Sequence, residues 1–201
     1  FLPEADKPAL NAWLAEQPLV LANQDLRIVH AAWLPESLAT LEAAVGEDLI
    51  AQYRRYDDEL VHALQTASWY GDYLHEQAMH AEALENADMP PPPMPATAQY
   101  ELARSRLHPI RALTSGAEVI APAPFYAGGR WRYTARSAWW QNHHDTPAVL
   151  IGHYWRHWYP RDADPTRENL MPPQNNAWHG AAHNVFCIDY SVGARWRDRK
   201  A

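Results

Sequence analysis

Cysteine is almost missing from this chain. Cys187 is the single one among 201 residues, so no intramolecular disulfide framework can form. Flanked by Phe186 and Ile188, it reads as a small packed hydrophobe, and the near-absence of cysteine suits a reducing, cytoplasmic setting. No apolar run approaches the roughly 18 residues of a membrane span, so no partner membrane is expected. The start, Phe1-Leu-Pro-Glu-Ala-Asp6, has neither a basic leader nor an apolar segment and is no signal peptide. It also lacks an initiator methionine, and we expect Phe1 to lie inside a longer chain or at a cleaved end. Positive charge is scarce. Seventeen Lys and Arg face 24 Asp and Glu, for a net charge of −7, which argues against a nucleic-acid duplex as partner. No internal repeat of solenoid period is found.

Hydrophobic residues make up 47% of the chain, enough for a sizeable core in one domain or a large part of one. Two residue types are abundant. Five of ten tryptophans (Trp131, Trp139, Trp140, Trp155, Trp158) fall within 28 residues. Six of eleven histidines (His143, His144, His153, His157, His179, His183) belong to the same region, so the last third holds most of the chemistry.

The chain reads as helices followed by strands. Pro8–Glu16 is a short helix with proline in its first turn. Leu19–Leu21 and Leu26–Val29, separated by Asn23-Gln-Asp25, form a hairpin. Pro35–Val45 is a helix ended by Gly46. Glu47 to Trp69 is a longer amphipathic helix, and Tyr73 to Ala87 a third, with His75 and His80 on its solvated face. Met89-Pro-Pro-Pro-Pro-Met-Pro95 is a stiff spacer or exposed loop. Gln99 to Leu113 is helical, interrupted at Pro109. Ala117–Ile120 is a short strand before Pro122 and Pro124, Gly128-Gly129 a turn, and Arg130 to Trp140 alternates basic with aromatic. Ala148–Ile151 is a buried strand stopped by Gly152 and followed at once by His153. Asn184–Gly193 carries the last strand, and no later apolar run offers it a partner, so we expect the C-terminus to be cut short as well.

Three strands thus end in polar residues: Leu26-Arg-Ile-Val-His30, Val149-Leu-Ile-Gly-His153 and Val185-Phe-Cys-Ile-Asp189. Carboxyl ends of strands are where open α/β sheets bind ligands. Two neutral imidazoles brought together there make half of a coordination shell for a divalent metal. A phosphate ester would also want a guanidinium, whose planar fork matches two phosphate oxygens. Arg130, Arg132 and Arg136 precede the Gly-His strand and are the candidates, Arg136 first. The blander reading makes them basic side chains on the solvent face of a strand. Trp139-Trp140 reads as packing or a pocket wall, and Asp189 as a turn residue. His153-x-x-x-His157 and His179-x-x-x-His183 would suit zinc only on helices, and the first lacks the glutamate of His-Glu-x-x-His.

In their order and spacing, Leu26-Arg-Ile-Val-His30-Ala-Ala-Trp33, Val149-Leu-Ile-Gly-His153-Tyr-Trp155 and Asn184–Gly193 resemble the second half of a calcineurin-like metallophosphoesterase of the bacterial phosphoprotein-phosphatase-like branch. The resemblance spans nearly the whole chain. It implies an α/β fold: the second half of a four-layer α/β/β/α sandwich, with metal-site strands at about 26–32, 147–155 and 184–193 and a helical insertion at about 35–115. It implies that His30 and His153 ligate one metal of a two-metal site and that Arg136, with Arg132 behind it, contacts the phosphate. The metals would be divalent, with manganese expected and iron, zinc or magnesium as alternatives. Trp155 stands where some branches have a further histidine. The family's Asp-x-His, Gly-Asp-x-x-Asp-Arg-Gly and Gly-Asn-His-Glu motifs occur nowhere in the 201 residues. The resemblance therefore implies metal-dependent phosphoester hydrolysis, of phosphoprotein or dinucleoside polyphosphate, with a missing N-terminal half as partner and a chain inactive alone. The rival expectation is a non-catalytic module whose tryptophan-rich surface grips a peptide or sugar.

Overall fold

Prolines and short apolar runs punctuate the chain, and most elements begin where they dictate. The structure is a computed structural model and describes residues 3–44, 48–154, 156, 170–171 and 177–190. After a 3-10 turn at Glu4–Asp6 come α1 (Lys7–Ala15), β1 (Val20–Ala22) and β2 (Leu26–Val29). Six helices follow: α2 (Pro35–Glu42), α3 (Leu49–Thr66), α4 (Tyr70–Met79), α5 (Ala81–Glu85), α6 (Pro95–Arg106) and α7 (Pro109–Ser115). Then come β3 (Glu118–Ala127), β4 (Arg130–Arg136), a 3-10 turn (Trp139–Asn142), β5 (Ala148–Ile151) and β6 (Val185–Cys187). Pro35, Pro95 and Pro109 each open a helix, where a missing N–H costs nothing. No helix among the described residues is long and apolar enough to cross a membrane.

The fold is mixed α/β, with two sheets among the described residues. One has the order β1-β2-β5-β6; β1 and β2 are antiparallel, and β2, β5 and β6 are parallel. The expected hairpin at 19–29 is thus present, and α2–α7 lie between β2 and β3. The other sheet is the hairpin β3–β4. In the larger sheet Val29, Val149, Ile151, Val185 and Cys187 are buried with Leu113, Trp139, Trp140 and Tyr154. The opposite row, Leu21, Ile28, Leu150 and Phe186, is in register across all four strands and only partly covered.

Several expectations needed correction. The segment 73–87 is not one helix: it breaks at His80, whose φ and ψ of −123° and 20° leave the helical region. The interruption expected at Pro109 is present: it opens α7, which is capped by His108, while the helix before it starts at Pro95 rather than Gln99. Strand β3 does not stop at Ile120. It runs through Pro122 and Pro124 to Ala127, with a register shift between Ile120 and Phe125. An irregular edge strand tolerates prolines that cannot donate to a ladder. The proline stretch at 89–95 is the exposed loop of the two readings, anchored by buried Met94 and by the Tyr133 hydroxyl, which donates to the Pro92 carbonyl at 2.9 Å. Gly46, Trp155, His157, Trp158 and residues 191–193 lie outside the described residues.

Candidate functional site

Strands β2 and β5 are parallel neighbours, so their carboxyl ends, and the histidines that follow them, emerge side by side. The Gly152 amide donates to the His30 carbonyl at 2.8 Å, carrying the pairing one step past the strands. The rings of His30 and His153 meet edge to face, with centroids 5.6 Å apart and planes at 61°. His30 is exposed and His153 half-buried. His153 has a φ of 62°, a left-handed conformation uncommon outside glycine that concentrates at functional sites.

Burial above all, then the charges of Arg136 and His30, lowers the His153 pKa to about 4, while Asp189 and the Ser115 carbonyl pull the other way. Its imidazole is therefore neutral at neutral pH, as a metal ligand must be. A ring N–H given to a carbonyl leaves the other nitrogen as the lone-pair donor, the usual way a ligating histidine is oriented.

Arg136 ends β4 and lies half-buried, its guanidinium 5.9 Å from the centre of the Tyr154 ring. No carboxylate pairs with it among the described residues. Arg132 is not brought to the pair. It is exposed, four residues back along the strand, and its guanidinium lies 4.0 Å from the position a Cβ would take at Gly128. Arg130 bonds Gln77 inside the hairpin's contact with α4. Asp189 follows β6 with its Cβ 3.8 Å from the Cβ position at Gly152, and its carbonyl accepts the Arg156 amide at 2.8 Å. It holds the turn and also acts electrostatically on His153.

Of the described tryptophans, Trp33, Trp139 and Trp140 belong to the core, whereas Trp13 and Trp178 are exposed. Trp139 and Trp140 are 7% and 3% exposed, and the Trp139 indole N–H donates to the Ala31 carbonyl at 3.2 Å. Trp131 gives its indole N–H to Asn86 at 2.8 Å. The segment 179–183 is a turn closed by mutual backbone bonds of His179 and Val185, not a helix, so it lacks the spacing expected for zinc. Among the described residues no group of three His, Cys, Asp or Glu is placed to hold a metal.

No family model, curated protein or solved structure matches the chain. Residues that sequence reasoning missed are Ser115, Gly116 and Tyr154. Gly116 could have been noticed as a glycine ending a helix, but nothing local links it to residues 30 or 153.

Proposed function

We propose that this chain carries one side of a metal-dependent phosphoester-hydrolysing site. His30 and His153 are ligands of one divalent metal, and Arg136 is a phosphate contact. The observation that carries the reading is the convergence of the two imidazoles at adjacent parallel strand ends, one of them held neutral. Two neutral nitrogen donors fit manganese, iron or zinc better than magnesium, which prefers oxygen. A bound metal pair supplies Lewis acidity toward the phosphoryl oxygens. Arg136, free of any carboxylate among the described residues, presents its fork to two phosphate oxygens from the His153 side. Phosphoprotein and dinucleoside polyphosphate are the substrate classes in view, in a completed four-layer sandwich.

Two imidazoles leave most coordination positions open, so this chain alone binds metal weakly and needs carboxylates from the N-terminal half of such a domain. For the rival reading of a tryptophan-rich binding module, Trp139 and Trp140 are core residues, while Trp13 and Trp178 are exposed. Titration calorimetry with Mn²⁺ tests the proposal. Weak binding is expected for the chain as it stands, and none after His30→Ala or His153→Ala. Sub-micromolar affinity with robust phosphomonoester hydrolysis would sink the half-site reading. Affinity indifferent to both substitutions would sink the metal assignment.

A further inference from the structure

The chain passes the last turn of α7 twice, once after each histidine. The Leu113 carbonyl accepts the amides of both Ala31, at 2.9 Å, and Ala32, at 3.2 Å, the two residues after His30. Gly116, at φ +82°, ends the helix with no room for a side chain. A Cβ there would lie 2.3 Å from the Tyr154 hydroxyl, 3.1 Å from its Cζ and 3.9 Å from the Ala31 Cβ. The residue after His30 and the residue after His153 therefore both abut one glycine. Tyr154 is 2% exposed, its ring meets Trp140 edge to face at 4.9 Å, and its carbonyl accepts from the Cys187 thiol at 3.2 Å. Among the described residues its hydroxyl has no hydrogen-bond partner, so shape sets it over Gly116.

We propose that the last turn of α7, Leu113–Gly116, sets the spacing and facing of His30 and His153, with Gly116 and Tyr154 as positioning residues. The proposal rests on the metal reading for its purpose, though not for its geometry. Leu113 tethers the chain behind His30, and the Gly116–Tyr154 contact holds the corner that carries His153 in its left-handed turn. The Ser115 carbonyl, between these two contacts, is then in place to select one tautomer of the His153 ring.

NMR on the full 201-residue chain tests this. In the parent chain the His30 and His153 ring protons are expected to show a mutual Overhauser effect, and His153 the ¹⁵N shifts of a single tautomer. Gly116→Ala forces Tyr154 aside. The Overhauser effect should vanish, the His153 ¹⁵N shifts should average, and the Mn²⁺ needed to broaden both rings should rise about tenfold or more. Should Gly116→Ala fail to fold, Tyr154→Leu removes the same contact from the other side and is read the same way. A folded variant that keeps the Overhauser effect and the single tautomer overturns the positioning role. If Mn²⁺ broadens neither ring in the parent chain, the metal reading fails while the other two signals still decide the positioning.

Discussion

His153 titrates the wrong way for a solvent histidine. Its pKa is about 4 in the folded chain against about 6.5 for a free imidazole. Between those values the unfolded chain binds a proton that the folded chain refuses. Stability is therefore full above pH 6.5 and is lost as pH falls toward 4. His108, His143 and His179 are shifted the same way, chiefly by burial, and add to the slope. Discounted for its partial exposure, His153 alone contributes on the order of 2 kcal/mol. Urea unfolding in chelator at pH 7 and pH 5 should show the loss, and His153→Gln should flatten it. Equal stability at both pH values would contradict this assignment. Cys187 gives a second residue-scale expectation. Burial pushes its thiol pKa up and it is 0% exposed, so iodoacetamide should label it only after denaturation. Its packed character was legible from its apolar neighbours, whereas the depressed pKa of His153 was not, because its burial and the nearby charges of Arg136 and His30 arise only through the fold.

At the scale of elements, two carboxylates clasp α4, α6 and β4 together. Glu76 on α4 accepts the amides of Ala96 and Thr97 at 3.1 and 2.7 Å and the Thr97 hydroxyl at 2.8 Å, at the start of α6. Glu101 on α6 accepts the amides of Tyr133 and Thr134 at 2.8 and 3.1 Å on β4. The chain is thereby tied from α4 through α6 to the strand that ends in Arg136. Glu76→Ala leaves part-buried donors unpaired and should cost about 1–3 kcal/mol. Hydrogen exchange at residues 96–97 should quicken with it, and unchanged protection would refute the clasp. The helix start at Pro35 and the interruption at Pro109 were legible because proline acts locally, whereas the start at Pro95, four residues before the expected Gln99, was not. The break at His80 and the passage of β3 through two prolines were not, because distant partners decide them.

For the molecule as a whole, Leu113 is the junction. Its side chain is 0% exposed in the main core, and its carbonyl receives the chain leaving β2. Leu113→Ala should cost about 2–5 kcal/mol in chemical unfolding. A loss under 1 kcal/mol, on the order of a surface change, would show that the sheet and helices are not joined there. The apolar runs 26–29, 148–151 and 185–187 marked the strands, and the residues that follow them marked two histidines, because alternation and chain stops are local properties. Which strand ends become neighbours is not local. Ile28 pairs with Leu150, and Leu150 with Phe186, through hydrogen bonds between segments far apart in sequence. Only long-range pairing and packing put His30 against His153, left Arg132 away from that pair while Arg136 lies by Tyr154, drew Trp139 and Trp140 into the core, and set Tyr154 on Gly116. The local pattern could supply candidate ligands. Their meeting depended on long-range packing, where burial of the whole sheet face outweighs any single residue's preference.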